Sequence, residues 1–348
     1  MFRESGWKRA LHNVCVVALV LLAVLTVLWS TAALYFDLPA VRLRAPAAGF
    51  YVLAVSAGVW LSPGLWPKLA VCGMAFLLVM AWWLSLKPSN HRAWQADVAE
   101  TAWAEVNGTQ VTVHNFRNCD YRAEFNYTCG WETRNFDVSA INGLDLFLTY
   151  WGSPWIAHPI VSFGFADGSR VAMSVETRKE VGETYSAIRG FFRSYELIYI
   201  ISDERDLVRL RTNYRIGEEV YLYHTRATPK LAQAIFLAYL RKANRLRDKP
   251  EWYQALTDNC TNNIAAHVRE ADPDVIPHWD WRLLLNGKSD EFLYQNGYLV
   301  ADLPFSELKA RAHINSAART ANDAPDFSQR IREGRPGFTA HTLQPASN

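Results

Sequence analysis

The sequence predicts an α+β protein: three membrane-spanning helices at the N-terminus, then a globular domain of antiparallel strands and packed helices. Three observations carry this. Long apolar runs fill the first 88 residues and give way near His91 to the composition of an ordinary water-soluble domain. Period-two alternation on both sides of Ala166-Asp167-Gly168 marks a hairpin. Two helix starts, at Thr228-Pro229 and at Asn259-Cys260, follow the strands. Half of the 348 residues are hydrophobic while mean hydropathy is close to zero, so the apolar residues are concentrated rather than spread.

Val14 to Phe36 is one apolar run broken only by Thr26, Ser30 and Thr31. It is long enough to cross a hydrocarbon layer of about 30 Å. It is also longer than the apolar core of a cleaved signal peptide, and Ser30-Thr31-Ala32 is a poor cleavage site, so the run is expected to be retained. Lys68 to Leu86 holds a second clear run, starting at Leu69. Between the two, Ala47 to Leu65 is weaker but still apolar apart from Ser56, Ser62, Pro63 and glycines. Arg3, Lys8 and Arg9 precede the first run and hold the N-terminus in the cytoplasm, with Arg42 and Arg44 arguing mildly the other way. Three crossings then put everything after Leu86 outside the cytoplasm. Trp29, Trp60, Trp66, Trp82 and Trp83 sit in or beside these runs, as interfacial Trp do.

Lys+Arg number 36 against Asp+Glu 34, a balance that gives no basis for nucleic-acid binding. Of five cysteines, Cys15 and Cys72 lie inside apolar runs and read as packing residues. Cys119 and Cys129 flank the polar stretch Asp120 to Thr128, a spacing that suits a small disulfide loop in an oxidising compartment. That pair favours three crossings over two. Cys260 is left over as either a buried spectator or a reactive thiol.

In the soluble part, Gln110 to Phe116, Asp145 to Tyr150 and Tyr195 to Ile201 read as strands. Thr228 caps a helix with Pro229 at its first position, running to about Arg247 and ended by Pro250. The stretch from His158 to Glu176 admits two hairpin registers. A two-residue loop puts Phe163 opposite Ala172. A three-residue loop, Ala166 to Gly168, uses Gly168 as the left-handed residue and gives a coherent apolar face: Val161, Phe163, Phe165, Val171, Met173 and Val175. The second is preferred, because one buried face specifies register strongly. The opposite face then carries the small residues Ser162, Gly164, Ala172 and Ser174, with His158 directly across from Glu176. Paired Cβ atoms lie about 4.5–5.5 Å apart, so Glu176 could orient the His158 imidazole with room above both.

Trp252-Tyr253 lead into Thr257-Asp258-Asn259-Cys260-Thr261, and Asp258 or Asn259 can cap the helix that follows. Cys260 would then sit in the first turn, where free N–H groups and the helix dipole favour a thiolate and can bind an oxyanion. A helix-start thiol, a His and an acid that holds the His form the cysteine version of a catalytic triad. Among the histidines, His267 lies about 10 Å along the helix axis from Cys260 and cannot touch it. His278, His224 and His114 are further candidates, and His158 is preferred because it comes with Glu176. Zinc is the competing use of Cys and His, but Cys260 has no Cys two to four residues away and there is no His-x-x-x-His pair. No metal and no cofactor is expected, and no Gly-rich phosphate loop is present.

Several segments together resemble the DUF4105, or Lnb N-terminal periplasmic domain, family. They are Val113 to Asn118 with Tyr121, His158 with Ser162 to Phe165, and Ser174 to Lys179. Tyr195-Glu196, Asp203 to Asp206, Leu210-Arg211 and Asn259 to Thr261 complete the set. The resemblance spans about Arg92 to Ile314. The order strand-His, strand-acid, helix-Cys is similar to circularly permuted NlpC/P60 and papain-like folds. The resemblance implies a thiol enzyme facing the periplasm, and members named for Lnb imply N-acylation of lipoproteins. On that reading Cys260 carries the acyl group as a thioester, His158 is the base and Glu176 orients it. Arg178 then holds a lipid phosphate and Asn259 contributes to substrate binding.

The expectation is therefore a membrane anchor over 1–88, a periplasmic thiol-enzyme domain over 89–315 and a loose polar tail over 316–348. Its substrate would be a membrane lipid or lipoprotein, at the periplasmic face of a bacterial inner membrane. The alternatives are a cysteine amidase or peptidase acting on cell-wall peptides, and a non-enzymatic membrane-associated binding domain. An apolar groove leading from Cys260 would favour acyl transfer, and an open polar cleft would favour peptide cleavage.

Overall fold

A computed structural model describes residues 3–277 and 280–338. His278, one of the histidine candidates, lies outside the described residues. The chain divides into two units, Met1–Pro88 with Ser186–Tyr195, and Ser89–Tyr185 with Glu196–Asn348.

The first unit contains the helices α1 (Arg3–Asp37), α2 (Arg44–Leu61) and α3 (Leu65–Ser85). All three are long and apolar enough to cross a membrane. Val14, Leu21, Leu25, Phe50, Leu53, Leu77 and Leu78 point outward, exposed by 50% or more. Such a surface is stable only in lipid, where helices satisfy their own backbone groups. Each helix packs on the other two. Gly58 lets α2 and α3 approach closely: a Cβ there would stand 2.9 Å from Val71 Cγ1. Trp29 lies edge-on to Phe76 and Trp83. The segment Ser186–Tyr195 belongs to this unit because Phe192 packs on Trp29 and Phe36, while the backbone N–H of Arg193 and the Ser194 hydroxyl donate to Asp37. Arg193 Nη1 also donates to the carbonyls of Trp83, Leu84 and Leu86 at the end of α3.

The second unit is built on one sheet. Its strands are β1 (Trp103–Asn107), β2 (Gln110–Ala123), β3 (Asn126–Asp137), β4 (Ile141–Trp151), β5 (Ala157–Phe165), β6 (Arg170–Arg178), β7 (Glu196–Ser202) and β8 (Glu218–His224). The order is β1-β2-β7-β6-β5-β4-β8, with β3 on β2. All pairings are antiparallel except β2 with β7, which meet in parallel at Arg117 and Ser202. Cys119 and Cys129 stand opposite each other on β2 and β3 and are disulfide-bonded. The polar stretch between them is thus a β-ribbon rather than a loop.

The β5–β6 hairpin has the three-residue loop: Phe163 faces Val171, Ile160 faces Ser174, and Gly168 takes φ +85°. Its Val161, Phe163 and Phe165 face packs under α5 (Pro229–Asp248), where Phe163 meets Phe236 and Tyr239 edge-on. Before it comes the short helix α4 (Glu204–Arg209), which continues through one π turn, Leu210–Tyr214. Thr228 caps α5 by accepting from the Leu231 N–H at 3.2 Å. After α5 come α6 (Cys260–Ala271), α7 (Trp281–Leu284), α8 (Ser289–Gln295), α9 (Phe305–Ala312), α10 (Asn315–Thr320) and α11 (Phe327–Arg330).

Two expectations are corrected here. The second face of the hairpin is not open. Ile160 and Ala172 join Phe147, Ile198 and Ile200 in a core closed by Leu207 and Val208 of α4 and by Ile314, Ala318, Phe327 and Ile331. The small residues of that face are what lets these short helices settle on it. Consequently residues 316–338 are not a loose tail. Arg332 is buried and donates to Asp145 Oδ2 at 2.8 and 3.0 Å and to both oxygens of Glu204 at 2.5 and 2.8 Å. Asp145 also accepts from Arg170 at 2.6 Å, and Ser162 donates to Glu204. Burial opposes ionisation of both acids, but Arg332 outweighs it and holds both carboxyls below their ordinary values. A stretch that reads as polar in sequence therefore supplies the closing layer of one core.

Candidate functional site

His158 lies in β5 and Glu176 in β6, and the hairpin register brings them together: His158 Nε2 is 3.1 Å from Glu176 Oε1 and 2.7 Å from Ser174 Oγ. The Ser174 hydroxyl donates to the same Glu176 oxygen at 2.7 Å. Arg211, carried on the π turn after α4, donates to it at 2.8 Å and also faces Glu218 at 3.3 Å. Burial alone would lower the His158 pKa. The Glu176 carboxylate reverses this and raises it to about 9, with the Cys260 side chain contributing in the same direction. Glu176 in turn is held well below its ordinary value, since His158 and Arg211 overcome the effect of burial. At neutral pH the pair is an imidazolium and a carboxylate.

Cys260 opens α6. Asn259 is the cap: its Oδ1 accepts from the Asn262 N–H at 2.9 Å, and its Nδ2 donates to the Ala255 carbonyl at 2.9 Å. Cys260 is unpaired and buried, within hydrogen-bonding reach of the His158 ring. The start of α6 is tied to the start of β5 through Asn286, which donates to Thr261 Oγ1 and accepts from the Ala157 N–H, both at 2.9 Å. Gly287 makes this closure possible. A Cβ there would stand 2.5 Å from the backbone at Pro154 and Trp155.

Beside this polar cluster is an apolar cavity of about 270 Å³. Leu144, Leu146 and Pro159 form its sheet wall, Leu231 and Ile235 of α5 and Ile264, Ala265 and Val268 of α6 its sides, and Phe292 and Tyr298 its end. The cavity adjoins the cluster through chain neighbours, Pro159 next to His158 and Thr261 next to Cys260. Cys260 itself is not on the wall.

The other predicted residues are placed differently. Arg178 donates to the Val98 and Ala99 carbonyls, Asn90 Oδ1 and Thr101 Oγ1, and so ties the 90–101 segment to β6. His267 packs on Tyr239 and meets Tyr199 Oη at 2.7 Å; burial lowers its pKa to about 3. His224 is bonded to Asp145, and His114 stacks on Trp103. Arg211, Ser174 and the cavity were missed. Ser174 and Arg211 both stand in segments that carry the family resemblance, but nothing in the sequence ties either of them to Glu176. The cavity's α6 wall was foreshadowed by the i, i+4 pair Ile264 and Val268.

The expectation of a cysteine-nucleophile enzyme, acyltransferase or hydrolase, is corrected. Cys119 and Cys129 are consumed by their disulfide. The remaining thiol of this unit, Cys260, is buried. A thioester carried by Cys260 would need its acyl chain in an apolar groove that starts at the sulfur, and the apolar cavity is walled by Thr261 instead.

The fold and the disulfide define a membrane-anchored protein with an extracytoplasmic α/β domain. Residues 127–287, somewhat less than half of the chain, match the Lnb N-terminal periplasmic domain family. The three membrane-spanning helices and this match make the chain a bacterial inner-membrane protein with its folded part in the periplasm. Neither a curated protein nor a solved structure matches it.

Proposed function

We propose that this chain is a non-enzymatic, membrane-anchored binding protein whose periplasmic domain accepts the apolar part of a membrane lipid or lipoprotein. The observation that carries the reading is the apolar cavity of about 270 Å³. Cavities lined by aliphatic and aromatic side chains stay dry and take apolar ligands; about 150 Å³ is enough for benzene. An acyl segment entering it would bury apolar surface at roughly 25 cal/mol per Å². His158, Glu176 and Cys260 form the polar end of the site in this reading, with Ser174 and Arg211 fixing Glu176. Asn259 contributes by holding the start of α6, and Arg178 by holding the 90–101 segment. The chain order of the His158 strand, the Glu176 strand and the Cys260 helix supports descent from a permuted NlpC/P60-like arrangement, with the fold kept for binding.

The test is titration of the full-length protein in lipid nanodiscs with a dansyl-labelled fatty acid, empty nanodiscs serving as the blank. Saturable binding is expected. Ala265→Phe and Val268→Phe, which fill the cavity, should abolish it while the melting temperature stays close to that of the parent. Absence of saturable binding, or undiminished binding in both folded variants, refutes the proposal.

A further inference from the structure

A second cavity, of about 580 Å³, has polar walls and shares no residue with the apolar cavity or with the His158, Glu176 and Cys260 cluster. Its walls include Arg92, Arg178, Arg247, Trp94, Trp103 and Thr101. Arg178 is only 2% exposed. Its four hydrogen bonds go to neutral acceptors, the Val98 and Ala99 carbonyls, Asn90 Oδ1 and Thr101 Oγ1. A guanidinium has five N–H donors, so one donor remains and no hydrogen bond of Arg178 goes to an anion. Among the described residues no carboxylate lies within ion-pair distance of it; Glu196 and Glu100 act on it only from further away. Burial accordingly lowers its pKa to about 10. A buried charge without a counter-charge is costly, and this one faces a cavity.

The remaining walls suit an anion. Trp94 covers one face of the Arg178 guanidinium at 4.4 Å and holds its plane. Arg247 rests over Trp103 at 4.4 Å, with Asp248 2.9 Å from its Nε. Arg92 is neutralised by Glu180 and Glu196 at 2.9 and 2.7 Å. His91 adds a further donor, and Glu100 is the carboxylate on the wall itself. His91 and Arg92 follow Ser85, the last residue of α3, by six and seven positions in the sequence.

We propose that this cavity is a phosphate-binding site, with Arg178 as its buried cation and Arg247 as its outer one. The phosphate is that of an anionic lipid headgroup or free phosphate. The proposal does not depend on the apolar cavity or on its occupant.

The test uses the full-length protein in two kinds of nanodisc at about 150 mM salt, where surface attraction is screened beyond roughly 8 Å. In phosphatidylcholine discs, inorganic phosphate is titrated and followed by ³¹P line broadening. In discs containing phosphatidylglycerol, with no free phosphate, the rise in melting temperature is followed against lipid fraction. A saturable response to either probe supports the site and assigns the source. Arg247→Glu and Arg178→Gln should each weaken that response by about tenfold or more, the loss expected of one charge-assisted hydrogen bond. Arg178→Lys should keep part of it. If Arg178→Gln fails to fold, Arg247→Glu decides, since Arg247 is 40% exposed and leaves the core intact. No response to either probe, or a response unchanged in Arg247→Glu, overturns the proposal.

Discussion

Arg332→Met is the sharpest test of the corrected C-terminal region. Arg332 makes two hydrogen bonds to Asp145 and two to Glu204, all buried. Methionine preserves much of the apolar stem and removes the charge. Asp145 keeps Arg170 and His224 as partners. Among the described residues Glu204 keeps the Ser162 hydroxyl as its side-chain hydrogen-bond partner, with Arg170 acting on it from further away, and it must stay buried largely uncompensated or take up a proton. Removing one partner of a buried ion pair costs about 3–5 kcal/mol. For a domain of this size each kcal/mol moves the melting temperature by about 2–4 °C, so the expected loss is roughly 6–20 °C. The assay is intrinsic-fluorescence melting of the full-length protein in nanodiscs. Adding Glu204→Gln to Arg332→Met should recover about 1–3 kcal/mol, because the stranded charge is the source of the cost. A single variant within 2 °C of the parent, or a double variant no better than the single, would show that the Arg332 contacts do not close this core.

Further outcomes follow from the same geometry. His158 has a folded pKa of about 9 against 6.5 unfolded, so its contribution is complete below pH 6.5 and disappears as pH rises through 9. The stability difference between the parent and His158→Gln should therefore shrink from at most about 3 kcal/mol to near zero across that window; a difference that does not vary with pH contradicts the imidazolium–carboxylate pair. Denatured without reductant, the protein should expose three reactive thiols, Cys15, Cys72 and Cys260, and with reductant all five. Five without reductant would remove the disulfide. Gly287→Ala should destabilise by about 1–3 kcal/mol through overpacking, since its Cβ has no space against the backbone at Pro154 and Trp155. An unchanged melting temperature would mean that this loop is free to shift.

Much was legible locally. The apolar runs marked the three helices, since a bilayer imposes length and apolarity on each span regardless of its neighbours. The alternation around Ala166 to Gly168 gave the register of β5 and β6, because a slip of one residue would expose every apolar side chain. With the register came the meeting of His158 and Glu176, and Asn259 marked the start of α6. Other features depend on partners distant in sequence. Arg211 reaches Glu176 from 35 residues away and Arg332 reaches Asp145 from 187; no periodicity announces such pairs, because ion pairing has no repeat. The tail looked soluble because Arg332 and its neighbours are polar, and only the opposite charges beneath them make their burial favourable. The apolar cavity is likewise a property of packing, the gap left where a sheet and three helical layers meet. The sequence by itself determined the anchor, the hairpin and the placing of His158, Glu176 and Cys260. Only the tertiary structure decided that His158 is held as a cation by Glu176, and that the apolar space lies next to Cys260 rather than at it.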